Sequence, residues 1–164
     1  MSDRPLNVLF LCTHNSARSI LAEALLNHIG GSRFKGFSAG SHPGTAPKAW
    51  ALEVLDRAGV NTAGLHSKSW DEFGGEGAPK MDLVITVCDN AAGEACPYWP
   101  GQPATAHWGY PDPSDVQGTP DEQREAFRQT MLAIKRRLEL LIALPDDKLA
   151  RTMLQGAARA LAST

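Results

Sequence analysis

The sequence predicts an α/β domain in which a four-stranded parallel sheet is flanked by helices, giving three layers. Short apolar runs alternate along the chain with longer segments in which apolar residues recur at helical spacing. This alternation favours crossover connections, which join parallel strands. The chain has 164 residues, of which 43% are hydrophobic and 21% charged, as expected for one ordinary globular domain.

Four apolar runs are predicted to be β-strands, over residues 7–11, 34–38, 81–87 and 104–108. The third run, MDLVITV, is the clearest central strand because it is rich in β-branched residues. Trp50 is expected in the core, whereas Trp108, at the end of the last run, is expected to pack around loops.

Helical spacing predicts four helices, over residues 16–29, 47–58, 120–144 and 146–161. The third begins with Thr119-Pro120-Asp121-Glu122, in which Thr119 is the predicted N-cap and Glu122 completes a capping box. Pro145 ends that helix. Residues 1–145 are therefore predicted to form the main domain, and residues 146–164 a C-terminal helical extension of the same domain.

The composition excludes several classes of partner. The formal net charge is −2, which predicts no nucleic-acid or membrane surface. No apolar run is long enough to span a membrane, and the N-terminus does not resemble a signal peptide. With only 3 cysteines, the chain is expected to be cytoplasmic, with thiols that are reactive or inert and buried. The cysteines and histidines match no zinc spacing, so no metal site is predicted.

The stretch VLFLCTHNSARSILAEALL, residues 8–26, predicts an anion-binding loop. Cys12 follows the first strand, and Arg18 lies at the start of the first helix. The backbone N–H groups of a strand-to-helix loop and the helix dipole favour a tetrahedral oxyanion. The predicted oxyanion-binding residues are Thr13, His14, Asn15, Ser16, Ala17, Arg18 and Ser19.

Each side chain of this loop has a chemical interpretation. The positive environment would lower the pKa of the Cys12 thiol and make it a nucleophile. Arg18 can bind two anion oxygens, and Asn15 tolerates a left-handed backbone. Ser19 could donate a hydrogen bond to the sulfur. His14 could add charge to the site, or it could simply face solvent. The alternative for the whole loop is an inert buried cysteine beside a surface arginine.

This stretch resembles the low-molecular-weight protein tyrosine phosphatase family, as do SAGS at residues 38–41 and HSKSWDEF at residues 66–73. The resemblance implies a low-molecular-weight tyrosine phosphatase-like fold, with Cys12 as nucleophile and Arg18 as anion binder. It also implies an aspartate general acid within an Asp-Pro pair, which matches Asp112-Pro113.

Two later stretches, VITVCDNAAGEACPYWPG and AHWGYPDPSD, resemble the thioredoxin-coupled arsenate reductase branch of this family. That resemblance implies reduction of arsenate to arsenite, for arsenic detoxification, by a thiol-disulfide relay of Cys12, Cys88 and Cys96. Phosphate and sulfate would be competing anions. No bound cofactor is implied, and an external thiol reductant, thioredoxin or glutaredoxin, is required. The spacing of Cys88 and Cys96 is one residue longer than the branch's usual pattern, which leaves the donor open.

Two other functions stay open at this point. A tyrosine phosphatase would need only Cys12, Arg18 and Asp112, although Ser114 stands where that group usually has a tyrosine. A non-catalytic oxyanion-binding or redox-sensing module would need no turnover at all.

The resemblance also implies a potassium site in some reductases, near Asn15, Glu23 and Ser38. Ser69 stands where those reductases have the aspartate that completes the site. No potassium site is therefore predicted, and Glu23 is interpreted as a polar residue of the first helix.

Overall fold

The computed structural model describes residues 5–75, 77–87 and 103–164, and these parts of the chain form one parallel sheet with helices. The strands are β1 (Leu6–Cys12), β2 (Phe34–Gly40), β3 (Leu83–Thr86) and β4 (Ala104–His107). Their order across the sheet is β2-β1-β3-β4, and each adjacent pair is parallel. The predicted α/β fold class is confirmed.

The described helices are α1 (Arg18–Ile29), α2 (Ala49–Arg57), α3 (Pro120–Ile142), α4 (Asp146–Leu149) and α5 (Arg151–Leu161). Short 3₁₀ turns span Trp70–Phe73 and Pro113–Asp115. The predicted capping box of α3 is present, with the Glu122 N–H donating to Thr119 Oγ1 and the Thr119 N–H donating to Glu122 Oε1. Across the described stretches, no helix is long and apolar enough to cross a membrane.

All four predicted helices differ from the structure in their bounds, and two of these differences affect the site and the core. Helix α1 begins at Arg18 rather than at residue 16, because the chain between Cys12 and Arg18 forms a loop. The last predicted helix is interrupted at Ala150, whose backbone is extended with ψ 145°. With this break, Leu149 of α4 and both Leu154 and Ala158 of α5 are buried in the same core.

The central strands are buried on both faces, which explains their continuous apolar sequence. Val8 and Phe10 of β1 belong to the larger core, which also contains buried side chains of α1, α2, α3 and α5. Leu9 and Leu11 point to the opposite face, where they join a smaller core with Phe73 of the first 3₁₀ turn. The sheet therefore lies between a layer of helices and a thinner layer around Phe73.

Trp108 belongs to the core rather than to a loop, so the expectation for this residue is wrong. Its side chain is fully buried, and the indole N–H donates to the Ala158 carbonyl of α5 at 2.9 Å. A buried indole requires such an acceptor, and α5 supplies it from a distant part of the chain. Trp50 is only partly buried, and the Arg124 guanidinium stacks over its ring at 5.0 Å.

The order of the strands fixes where a ligand can bind. Strand β1 lies between β2 and β3, so the chain continues to one side of β1 and later returns to the other. In open parallel sheets, ligands bind beyond the carboxyl ends of the strands at such a switch point. Cys12 is the carboxyl-terminal residue of β1 and lies at this position.

Candidate active site

The candidate site is the loop that joins β1 to α1. Cys12 ends β1 and is 4% exposed, while Arg18 begins α1 with 13% of its side chain exposed. Between them, residues 13–17 form neither strand nor helix. The structure thus places the predicted thiol and guanidinium at the two ends of one short loop.

The carbonyl groups of this loop are held from outside. Five consecutive carbonyls, from Cys12 to Ser16, accept hydrogen bonds from two neighbouring segments, residues 41–48 and Ser67. The donors are Ser41 N, His42 N, Gly44 N, Ser67 Oγ and Lys48 N, at distances of 2.7–3.3 Å. In a trans peptide the N–H points opposite to the C=O. The N–H groups of residues 13–17 are therefore turned away from those segments, as an array that suits an anion.

Asn15 gives the loop its shape. It is the only described non-glycine residue with positive φ, at 50°, and it is fully buried. Its Nδ2 donates to Ser19 Oγ at 2.8 Å, and its Oδ1 accepts from the Lys68 backbone N–H at 3.0 Å. The left-handed backbone predicted for Asn15 is confirmed. The Ser19 hydroxyl keeps its own proton to donate, and donation to the Cys12 sulfur stays a prediction.

Arg18 is joined to the segment that contains the predicted general acid. Its Nη1 donates to the Tyr110 carbonyl at 2.8 Å, and its Nη2 lies 3.4 Å from Asp112 Oδ2. The Asp112 carboxylate also accepts from the Ser114 N–H through Oδ1 at 2.9 Å. The Asp112 side chain is 29% exposed and therefore accessible to solvent. The structure therefore brings together Arg18 and Asp112, which are far apart in sequence.

One guanidinium nitrogen of Arg18 has no acceptor within the part of the chain that the structure describes. Its Nε is buried and has no hydrogen-bond partner among the described residues. A buried donor without an acceptor costs about 1–3 kcal/mol. This nitrogen therefore fits a site in which a bound anion completes the hydrogen bonding.

His14 faces solvent. Its side chain is exposed, and Nδ1 donates to the His42 carbonyl at 3.0 Å. Of the two interpretations of His14, the structure favours the solvent-facing one. The hydrogen bond to His42 also attaches the loop to the segment after β2.

Cys88 and Cys96 lie outside the described residues. The last described residue before Cys88 is Val87, which is fully buried and donates its N–H to the Leu11 carbonyl at 2.9 Å. The Val87 carbonyl in turn accepts from the Tyr110 N–H at 3.3 Å. Val87, which precedes the undescribed stretch 88–102, and Tyr110, which follows β4, therefore meet at the end of β1 near Cys12.

A buried polar cluster, which we call the Glu23 cluster, lies beneath the loop and consists of Glu23, Ser38 and Lys68. Ser38 Oγ donates to Glu23 Oε1 at 2.5 Å, and Lys68 Nζ lies 3.5 Å from the same oxygen. The interpretation of Glu23 as simply a polar residue of the first helix is therefore incomplete. Sequence reasoning missed Lys68, whose only signal is its place within HSKSWDEF.

The residues of this cluster do not fit a potassium ion. The Lys68 ammonium already supplies a positive charge at the Glu23 carboxylate and would repel a second cation. Among the described residues there is also no group of three or more histidine, cysteine, aspartate or glutamate side chains that could hold a metal.

Several known proteins are similar to this chain. The arsenate reductase of Halalkalibacterium halodurans is 33% identical over 133 residues, which are 80% of this chain and 91% of that protein. The arsenate reductase structure from Archaeoglobus fulgidus has a TM-score of 0.65 and 26% identity, covering 84% of this chain and 99% of that one. A thioredoxin-dependent arsenate reductase from Corynebacterium glutamicum has a TM-score of 0.57 and 27% identity, covering 86% and 65% respectively.

The family match extends over nearly the whole chain. Residues 7–153 match the family described as low molecular weight phosphotyrosine protein phosphatase, and this range includes every described residue of the loop, Asp112 and the Glu23 cluster. The chain therefore belongs to the low molecular weight phosphotyrosine protein phosphatase family.

Proposed function

We propose that this protein is an arsenate reductase that converts arsenate to arsenite and serves arsenic detoxification. One observation carries the proposal. The loop after Cys12 turns five consecutive N–H groups away from residues 41–48 and Ser67, next to Arg18, in a chain whose relatives are arsenate reductases. Arsenate is a tetrahedral oxyanion with the shape and charge that such a loop binds.

The first chemical step uses the described residues. The Cys12 thiolate attacks arsenic, and one arsenate oxygen leaves as water after Asp112 donates a proton to it. Arg18 balances the charge of the remaining oxygens. The contact between Arg18 Nη2 and Asp112 Oδ2, at 3.4 Å, supports the placement of the acid beside the bound anion. The product is a covalent adduct between arsenic(V) and the Cys12 sulfur.

The second step reduces arsenic. The Cys88 thiolate attacks the Cys12 sulfur, and the electron pair of the sulfur–arsenic bond stays on arsenic, which leaves as arsenite. Two thiols thereby become a Cys12–Cys88 disulfide while arsenic(V) becomes arsenic(III). Cys96 then attacks Cys88 and releases the Cys12 thiolate, leaving a Cys88–Cys96 disulfide. The meeting of Val87 with Leu11, one residue before Cys12, supports this order of attack.

An external dithiol would restore the reduced enzyme. The similar structure from Corynebacterium glutamicum is a thioredoxin-dependent enzyme, which favours thioredoxin as the donor, with glutaredoxin as the alternative. Phosphate and sulfate, which are also tetrahedral, are expected to compete with arsenate at the loop. Cytoplasmic location is part of the proposal, because a relay of this kind needs reducing conditions.

A low-molecular-weight tyrosine phosphatase is the second candidate function. The described residues Cys12, Arg18 and Asp112 are all that such an enzyme requires, and the family itself is named for this activity. The two candidates differ in their need for Cys88 and Cys96.

The experiment that separates them follows single cysteine variants in an assay with arsenate, thioredoxin, thioredoxin reductase and NADPH. We expect NADPH-dependent arsenite formation by the wild type and none by Cys12→Ser. The variant Cys88→Ser is expected to lose arsenate reduction while retaining any hydrolysis of an aryl phosphate. The variant Cys96→Ser is expected to release about one equivalent of arsenite per enzyme and then stop as a Cys12–Cys88 disulfide.

The outcomes are distinct. Normal arsenate reduction by Cys88→Ser would contradict the relay, and activity in Cys12→Ser would contradict the assignment of the nucleophile. If the wild type shows no turnover with thioredoxin or glutaredoxin but hydrolyses aryl phosphates, the phosphatase function replaces the reductase.

A further inference from the structure

The Glu23 cluster contains an ion pair that is nearly excluded from water. The side chains of Lys68 and Glu23 are 8% and 15% exposed, and Nζ lies 3.5 Å from Oε1. The ammonium also donates to the His66 carbonyl at 2.9 Å. A buried carboxylate needs a cation or strong donors to remain charged. Lys68 is the cation that this protein provides to Glu23.

The same lysine is attached through its backbone to the loop between Cys12 and Arg18, which we call the anion loop. Its N–H donates to Asn15 Oδ1 at 3.0 Å, and its carbonyl accepts from the Gly40 N–H at 2.9 Å. The neighbouring Ser67 Oγ donates to the Asn15 carbonyl at 2.7 Å. The position of the ammonium and the position of Asn15 are therefore fixed by one short segment, residues 66–68.

Glu23 completes the connection from the other side. It belongs to α1, the helix that begins at Arg18 where the loop ends, and it binds Ser38 of β2 and Lys68. Loss of the lysine side chain would leave the largely buried Glu23 carboxylate with the neutral Ser38 hydroxyl and no positive charge beside it. The carboxylate would then attract a proton or a small cation from the solvent, or it would move and displace the segment that holds Asn15.

We propose that Lys68 is a positioning residue that acts as a built-in cation, so that the anion loop is formed without a monovalent cation from the solvent. The proposal concerns oxyanion binding by the loop, and it rests on the proposed function only where arsenate turnover is the readout. The contacts that carry it are those of Nζ with Glu23 Oε1 and of the Lys68 N–H with Asn15 Oδ1.

The test compares wild type and Lys68→Ala in KCl, NH₄Cl and choline chloride at equal ionic strength. Choline is too large for the space that the lysine side chain would leave. Binding of inorganic phosphate is measured by calorimetry, and arsenate reduction is measured in the same salts. The wild type is expected to bind phosphate and to reduce arsenate equally well in all three salts. Lys68→Ala is expected to bind phosphate about tenfold more weakly in choline chloride, equivalent to about 1.4 kcal/mol, and to recover in KCl or NH₄Cl.

Two control variants isolate the charge. In the double variant Lys68→Ala with Glu23→Gln, no carboxylate remains to attract a cation, so phosphate binding should not respond to the salt. Lys80→Ala removes an exposed lysine and should match the wild type in every salt. If Lys68→Ala is too unstable for calorimetry in choline chloride, its thermal midpoint should rise in KCl by more than that of the wild type.

Several results would overturn the proposal. They are stimulation of the wild type by KCl relative to choline chloride, an equal response of Lys68→Ala to all three salts, or a double variant that still responds to KCl. A different result is that the proteins show the expected dependence of phosphate binding on salt while the wild type fails to reduce arsenate. That result would contradict the proposed function and leave the role of Lys68 intact.

Discussion

Tyr110 connects the anion site to the interior through three groups. Its carbonyl accepts from Arg18, and its ring lies beneath the Arg137 guanidinium at 4.9 Å. Its hydroxyl is buried and has no hydrogen-bond acceptor among the described residues. Burial raises the pKa of this hydroxyl above its usual 10.0, and the positive charge of Arg137 partly offsets the increase. The native state therefore favours the protonated form of Tyr110.

The variant Tyr110→Phe tests how the buried Tyr110 hydroxyl contributes to stability at neutral and at high pH. Near neutral pH the variant should lose little stability, because the deleted hydroxyl has no acceptor to lose. A raised native pKa adds to the free energy of unfolding. This contribution is fully present below about pH 10, the pKa of tyrosine in the unfolded chain, and it is lost as the pH rises through the higher pKa of the native state. The wild type should therefore lose free energy of unfolding relative to Tyr110→Phe as the pH rises above about 10. Urea unfolding of both proteins across this range measures the difference, and parallel curves would contradict the assignment.

At the scale of elements, the backbone at the end of β2 packs directly against the backbone of the anion loop. A Cβ atom at Gly40 would lie 2.6 Å from the Thr13 carbonyl oxygen and 3.0 Å from the Asn15 nitrogen. Both are backbone atoms, which cannot move without displacing the loop. A few residues later, a Cβ at Gly44 would meet only the His14 carbonyl oxygen, at 3.8 Å, which is an ordinary contact.

Gly40→Ala is therefore expected to impair the loop, and Gly44→Ala serves as its matched control. Displacing the loop by less than 1 Å should lower kcat/KM for arsenate about a hundredfold, because the N–H array no longer matches the anion. Gly44→Ala should remain close to wild type. Steady-state kinetics and phosphate binding measure both variants. Equal activity of the two variants would show that the close packing of Gly40 against the loop does not determine the geometry of the site.

At the scale of the whole molecule, the C-terminal helix completes the sheet. Strand β4 lies at the sheet edge, and α5 supplies partners to its backbone. Gln155 Oε1 accepts from the Thr105 N–H at 3.1 Å, and Arg159 Nε donates to the Thr105 carbonyl at 3.0 Å. Covering an edge strand in this way prevents pairing with other chains. Leu154 of α5 is 2% exposed, whereas the adjacent Met153 is 45% exposed.

These contacts predict that residues 146–164 unfold together with the main domain. Leu154→Ala should lower the free energy of unfolding by about 3 kcal/mol, because it leaves a cavity in the shared core. Met153→Ala should change it by less than about 0.5 kcal/mol. Denaturant unfolding is followed by far-ultraviolet circular dichroism and by tryptophan fluorescence. Transitions that do not coincide would mean that the extension is a separate unit.

The local features of this protein follow from its sequence. The alternation of strands and helices and the capping box at Thr119 were predicted correctly from local patterns. A loop after Cys12 was predicted too, although helix α1 begins two residues later than expected. Hydrophobic periodicity reports which face of one segment is buried, and capping and turn residues act within a few positions. The switch in strand order then places Cys12 at the ligand-binding edge of the sheet.

Only the tertiary structure decided which distant groups meet. The contact of Arg18 with the Tyr110 carbonyl, the ion pair of Lys68 with Glu23 and the burial of Trp108 under α5 join segments that no local pattern connects. Each depends on the register and crossing of packed elements, and a periodic pattern does not encode these. The sequence by itself therefore determined a loop with a thiol at one end and an arginine at the other, and the packing determined what holds that loop in shape.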